Sequence, residues 1–167
     1  MKKLYKHQFK TDIGQFLVGS TENGLAIICF GSKYKQHFNG FVKKHFGDYQ
    51  VVPGGNENKK AQRQIRQYLD GKLKKFSLKF DINGTAFQKK VLRKIAAIPY
   101  GKTKTYGEIA TAIGHDGAAR AVGTVNATNR LPIVIPCHRV VATSGLGGYA
   151  GGLKLKRYFL DLEKAKY

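Results

Sequence analysis

Residues 105–128 read TYGEIATAIGHDGAARAVGTVNAT, and the rest of the chain is best understood outward from them. Thr105 followed by Glu108 forms a capping-box pattern, which opens a short helix through Ile109 and Ile113 that Gly114 ends. The helical period then resumes. Ala118, Ala121, Val122 and Val125 share one side of a helix expected over residues 117–128. Upstream, Thr85 and Gln88 repeat the capping box, and Phe87, Val91, Leu92 and Ile95 line one face of a helix that stops before Pro99. Three helices with short connections predict a helix-turn-helix arrangement.

The turn-forming run Asp81, Ile82, Asn83, Gly84 precedes these helices and marks the best boundary in the chain, giving domains at 1–80 and 81–167. In the first of these, residues 15–20 and 25–30 are apolar segments flanking Asn23-Gly24, a favourable hairpin turn. Tyr34, Phe38, Phe41, Val42 and His45 recur at helical spacing, as do Ala61, Ile65, Tyr68 and Leu69 before Gly71. Phe76, Leu78 and Phe80 alternate with Ser77 and Lys79, which predicts a strand.

The chain has 167 residues, a length suited to one domain or two small lobes, and its 42% hydrophobic composition excludes wholesale disorder or a fibrous chain. Its charge is unusual: 30 Lys and Arg against 10 Asp and Glu give a net +20. Residues 1–80 hold 16 basic and 5 acidic side chains and residues 81–167 hold 14 and 5, so the excess is not confined to a tail. Such a field attracts polyanions, nucleic acid above an anionic membrane surface. The longest apolar run, residues 25–30, is far short of the roughly 20 residues that cross a bilayer. Lys6, His7, Gln8 and Lys10 interrupt any signal-peptide core, and an intracellular, cytoplasmic protein is expected. The two cysteines, Cys29 and Cys137, have no zinc-site spacing, and no metal is expected.

On the helix of residues 117–128, the side facing away from the apolar stripe shows Arg120, Gly123, Thr124 and Ala127, with Ala119 alongside. Small side chains let a backbone approach a DNA groove while one guanidinium reaches phosphate or enters the base stack; the competing reading is an ordinary solvated face. Chemistry is concentrated just downstream in Ile135, Pro136, Cys137, His138, Arg139 and Val140. A thiol with an imidazole to take its proton is a soft nucleophile. In an extended segment Cys137 and His138 would point to opposite sides, so direct pairing requires a turn, and a bridging water satisfies the geometry otherwise. Asp81, Glu108, Asp116, Asp161 and Glu163 are all candidates to orient the histidine, and spacing does not choose among them. The alternative for Cys137 is a buried structural thiol beside Ile133, Val134 and Ile135; Cys29, inside an apolar run, fits that description better.

The run Pro136, Cys137, His138, Arg139, Val140 resembles the active-site motif of the O6-alkylguanine-DNA alkyltransferases. Thr105 to Glu108, Ala118 to Gly123 with Arg120, Asn129 eight residues before the cysteine, and Tyr149 to Leu153 resemble that family in order and spacing, over about residues 84–163. The resemblance implies an α+β fold: a small N-terminal α/β lobe with a short antiparallel sheet, and a mainly helical C-terminal lobe with a winged-helix-like helix-turn-helix. It implies direct repair, in which the alkyl group on guanine O6 passes irreversibly to Cys137, once per protein and without cofactor. Under the same resemblance His138 is the base acting through water, Glu163 orients it, and Tyr106 hydrogen-bonds the extruded base and aids protonation of the departing guanine. Arg120 fills the vacated stack from the minor groove, Asn129 braces the turn below the site, and Tyr106, Val140, Tyr149, Ala150 and Gly151 form the base pocket. The partner implied is double-stranded DNA bearing O6-alkylguanine, bound by a monomer, with no membrane involved.

Two positions depart from the family pattern. Ala150 stands where many relatives have serine, which removes a hydroxyl but leaves the backbone N–H, and Arg130 follows Asn129 where relatives often have proline. The zinc-binding cysteines of some members' N-terminal lobes are absent. Two other function classes are compatible with parts of the sequence: a damage-recognition module that flips the base without repairing it, and a Cys-His hydrolase or transferase on small substrates. The first class usually lacks the acceptor cysteine that is intact here; the second leaves the arginine-bearing helix and the charge without purpose.

Overall fold

Strands β1 (Lys3–Thr11), β2 (Gly14–Thr21) and β3 (Gly24–Phe30) form an antiparallel meander in the computed structural model, which describes residues 1–167. The hairpin expected across Asn23-Gly24 is present, with Leu17 opposite Cys29 and Gly19 opposite Ile27. A fourth strand, β4 (Gln50–Pro53), adds parallel to β1, giving the order β3-β2-β1-β4. The chain divides into two compact units, Met1–Ile82 and Asn83–Tyr167.

In the first unit a helix covers each face of the sheet. Alternation along the strands sends Leu4, Leu17, Ile27 and Cys29 to one face, where Phe38 of α1 (Tyr34–His45) and Phe46, the residue after it, complete a core. Tyr5, His7 and Phe9 point to the other face and meet α2 (Asn56–Leu69): Asn58 Nδ2 donates to Tyr5 O, His7 is hydrogen-bonded to Gln62, and the Arg66 guanidinium lies over the Phe9 ring. With both faces covered, residues 16–21 of β2 are all buried. β1 escaped the sequence reading because Lys6, His7, Gln8 and Lys10 break its apolar alternation and it begins among lysines.

The strand expected over residues 76–80 does not form. The polar groups of this segment are satisfied by α2 instead: Ser77 N donates to Gln64 Oε1, Gln64 Nε2 donates to Ser77 Oγ, and Lys79 N donates to Glu57. Only one ladder contact remains, where Leu25 pairs with Phe80. Alternation reported the two sides of an extended segment without its bonding partners.

The second unit begins with α3 (Ala86–Ala96), followed by β5 (Lys104–Thr105), α4 (Tyr106–Ala112) and α5 (Ala119–Ala127). Both capping boxes close as expected: Gln88 N donates to Thr85 Oγ1 and Glu108 N to Thr105 Oγ1, with the reciprocal side-chain bonds also made. A single 3-10 turn (Cys137–Arg139), β6 (Val140–Val141) and α6 (Leu153–Leu162) complete the unit. β5 and β6 pair in parallel and bring the start of α4 beside the chain leaving the 3-10 turn. On α5 the buried side is Val122, Val125 and Asn126; Ala121, expected on the apolar side, is exposed. No helix is long and apolar enough to cross a membrane.

Candidate active site

The segment from Asn129 to Arg139 is folded by its own polar groups. Asn129 Nδ2 donates to Ile135 O at 2.8 Å, and Leu131 N donates to Asn129 Oδ1 at 3.0 Å, so one amide ties both ends of the turn. Within it Ile133 adopts φ +74°, a left-handed conformation that costs a β-branched residue energy and persists only where its surroundings enforce it. The chain then enters the 3-10 turn, in which Arg139 N donates to Pro136 O. A turn rather than an extended segment therefore presents Cys137 and His138, and both are buried, at 5% and 0% exposure.

Among the five acidic candidates, the structure brings Glu163 to the histidine. His138 Nε2 lies 2.6 Å from Glu163 Oε2, and Glu163 Oε1 accepts from Arg139 Nε at 2.8 Å and from Gly101 N at 2.9 Å. Arg139, itself buried, also donates to Ile98 O and stacks its guanidinium over Tyr100. Burial alone would raise the Glu163 carboxyl, but hydrogen bonds from His138, Arg139 and the Gly101 amide bring it down to about 2. Burial lowers His138 more than Glu163 raises it, so the imidazole is neutral near pH 7. A neutral ring that donates Nε2–H to a carboxylate carries its lone pair on Nδ1.

Burial is also the largest influence on Cys137 and raises its thiol; Asn129, Tyr149 and the charge of Lys156 act in the opposite direction. Lys156 is fully buried, and its Nζ donates to the carbonyls of Val140 (2.6 Å), Leu146 (2.6 Å) and Gly148 (2.9 Å). Desolvation lowers it to about 8, with Cys137 acting to raise it. Tyr149, likewise desolvated and then affected by the Cys137 charge, is held well above the phenol range and remains a protonated hydroxyl. Cys29 is a contrast: burial pushes it up to about 12, with no neighbouring group opposing.

Beside this cluster lies a cavity of about 370 Å³ lined by Tyr106, Gly123, Asn126, Ala127, Gly148, Tyr149 and Ala150. Tyr106, the first residue of α4, is fixed by the capping box and packs between Gly123 and Gly147. A Cβ on Gly147, which has φ +71°, would come within 2.7 Å of the Tyr106 hydroxyl, so only glycine lets the loop approach this closely. Asn126 joins cavity and thiol segment, lining the first and donating Nδ2 to Cys137 O at 3.3 Å. Of the expected pocket residues, Tyr106, Tyr149 and Ala150 line the cavity; Val140 is fully buried, with its carbonyl on Lys156, and Gly151 packs against Leu155 and Tyr149. Arg120, Thr124 and Ala127 are exposed on α5, with Gly123 and Ala119 partly so, and a shallow groove runs past Gly117, Ala118, Arg120, Ala121 and Thr124.

Arg139 stood in the sequence motif with no role of its own, and Asn126 and Lys156 were given none. Arginine and lysine ordinarily signal surface, and only the fold reveals that these two are enclosed by carbonyls and a carboxylate. Asn126 carried one usable signal, since it falls on the Val122 and Val125 side of its helix, where an amide must have a partner.

Residues 86–165 match the family model described as the DNA-binding domain of 6-O-methylguanine DNA methyltransferase. The methylated-DNA–protein-cysteine methyltransferase of Methanosarcina acetivorans is 42% identical over 163 residues, covering 96% of this chain and 98% of the relative. That of Mycobacterium bovis is 49% identical over 107 residues, 64% of this chain and 65% of its own length. Among solved structures, Mycobacterium tuberculosis OGT in complex with DNA superposes with a TM-score of 0.79 at 35% identity, covering 97% of this chain and 92% of that one. The O6-methylguanine-DNA methyltransferase of Pyrococcus kodakaraensis gives 0.68 at 26% identity, covering 96% and 98%. Likeness of this extent, running through both units and through the thiol segment itself, shows that the chain belongs to the methylated-DNA–protein-cysteine methyltransferase family.

Proposed function

We propose that this protein repairs DNA by moving the O6-alkyl group of guanine onto Cys137, irreversibly and once per molecule, acting as an intracellular monomer on double-stranded DNA. The observation that carries this reading is the buried His138–Glu163 pair, 2.6 Å apart, on the 3-10 turn that holds Cys137 beside a cavity with a tyrosine at its wall. That arrangement supplies a base of fixed tautomer, a nucleophile and a donor in one place.

The chemistry follows from the protonation states. His138 Nδ1 takes the Cys137 proton through a water, and Glu163, itself held by Arg139, holds the ring so that the resulting imidazolium is balanced by a buried carboxylate. The thiolate attacks the alkyl carbon, the S–C bond forms as the C–O bond breaks, and the electron pair leaves with guanine O6. A proton must reach the purine to complete the departure. Tyr106 donates a hydrogen bond to the base, and the histidine proton is returned through solvent, leaving neutral guanine and a neutral thioether. The thioether formed on Cys137 is a stable C–S bond with a poor leaving group, so the protein is the final acceptor of the alkyl group.

A target base within a duplex must first be turned out, at a cost of a few kcal/mol that falls when the pair is damaged. The small exposed residues of α5 suit close approach to the minor groove, and the exposed Arg120 among them would fill the gap left by the base. The test is stoichiometry: with O6-methylguanine duplex in tenfold excess, repaired guanine should plateau at one equivalent per protein, and Cys137→Ser should give none while still binding. Continued turnover would instead favour a Cys-His hydrolase.

A further inference from the structure

One charged surface takes no part in this chemistry. On α2 Lys59, Arg63 and Arg66 are exposed at spacings of four and three, which forms one stripe along the helix. The chain then doubles back beside it: Lys72 N and Leu73 N donate to Gln67 O, Tyr68 packs at a tilt against Phe76, Ser77 is bonded to Gln64, and Lys79 N donates to Glu57. This strap leaves Lys72, Lys75 and Lys79 exposed alongside the helical stripe. Residues 56–80 carry eight basic side chains against two carboxylates, and one of the two, Glu57, is engaged by the strap's own backbone. The cations are thus held on a packed surface.

We propose that this face of the first unit grips the phosphate backbone of duplex DNA without reading sequence, as a contact additional to α5. The proposal rests on the duplex binding argued above. Lysines and arginines held in rows on solvent-facing backbone suit phosphates, where neutralisation releases counterions and little desolvation is incurred. The aromatic rings of this region, Tyr68 and Phe76, pack on each other, so the face offers no platform for stacking the unpaired bases of a single strand. Covalent linkage to a DNA-binding unit raises the local phosphate concentration to about the millimolar range, enough to populate weak contacts.

The experiment compares two sets of neutralised charges in the full chain. One variant carries Lys59→Gln, Arg63→Gln, Lys72→Gln and Lys75→Gln; the control carries Lys33→Gln, Lys35→Gln, Lys43→Gln and Lys44→Gln, which lie on or next to α1 on the opposite face of the sheet. Affinity for undamaged duplex is measured against salt. The first variant should lose about 3 to 4 from the slope of log K against log salt and bind about tenfold or more weakly near 100 mM salt. The control should stay close to the parent in both duplex affinity and methyl transfer. Splitting the first set into its α2 pair and its strap pair should divide the loss, which guards against a folding defect in the fourfold variant. Equal losses in the two sets would overturn the proposal, since they would report net charge alone. Unchanged duplex binding with lost binding to phosphatidylglycerol vesicles would overturn it in favour of a membrane surface. A parent protein that transfers methyl groups while both sets match it would overturn this proposal and leave the proposed function standing.

Discussion

Glu163 holds His138 through one carboxylate oxygen and Arg139 through the other, at 2.6 and 2.8 Å, with the carboxylate side chain fully withdrawn from solvent. The consecutive residues of the 3-10 turn are therefore fixed from α6's end by a single buried charge. That charge determines the histidine tautomer and compensates the arginine together.

Replacing it separates the two tasks from packing. Glu163→Gln keeps the shape but leaves Arg139 a buried cation without its counter-ion, for which a stability loss of about 3 to 5 kcal/mol is expected. The amide also allows the other histidine tautomer, so the single-turnover rate should fall by about 10² to 10⁴. Urea unfolding and quenched single-turnover assays check both numbers; a variant that lost stability but transferred at the parent rate would remove Glu163 from the chemistry.

Acid should act in two windows. A histidine in the unfolded chain titrates near 6.5 and a glutamate near 4.3, whereas in the fold His138 is lowered and Glu163 lies at about 2. Both folded values are depressed, so each group stabilises the fold above its unfolded pKa and loses that contribution as pH falls. Stability should decline from about pH 6.5 downward through His138 and again between about pH 4.5 and 2 through Glu163, the second fall being about 3 kcal/mol. Unfolding free energies measured across pH should show the lower window in the parent and not in Glu163→Gln; parallel curves would contradict the assignment.

Lys156 ties β6 to the loop after it through the carbonyls of Val140, Leu146 and Gly148 and supplies positive charge near Cys137. Lys156→Met, similar in volume, leaves those carbonyls without their donor and should cost about 2 to 3 kcal/mol. Removing the cation should also move the pH–rate profile for transfer upward, because the thiolate loses a favourable field. Faster hydrogen exchange over residues 145–149 should accompany the change, and an unshifted pH profile would restrict Lys156 to holding the loop.

How much of this was readable beforehand follows from where each signal resides. The capping boxes at Thr85 and Thr105 were legible because the bonds lie within four residues, and they fix where α4 begins and so where Tyr106 stands. The hairpin was legible because Asn23-Gly24 imposes its turn locally. The choice of Glu163 over four other acids was not available from spacing, since 25 residues and a whole helix separate it from His138. α6 was unread in part because Lys156 interrupts its buried stripe with a charge whose partners, the carbonyls of Val140, Leu146 and Gly148, lie in a preceding segment. The strand expected over residues 76–80 failed for the complementary reason: alternation was genuine, but α2 side chains took the hydrogen bonds.

Arg120 stands exposed among small residues on α5, and its contribution should be to extrusion of the base. Arg120→Ala should reduce transfer from duplex by about tenfold or more while affinity for undamaged duplex changes little, and a 2-aminopurine probe beside the lesion should report the lost extrusion. Equal weakening on damaged and undamaged DNA would make Arg120 a phosphate contact only.

The two cysteines offer the most direct trial, because both are buried thiols and only Cys137 has groups that oppose its desolvation. Incubating the protein with O6-methylguanine duplex and mapping its peptides by mass spectrometry should find one methyl group, on the peptide containing Cys137, with Cys29 untouched. Folded protein that emerges with an unmodified Cys137 peptide, while the lesion persists in the DNA, would contradict the account.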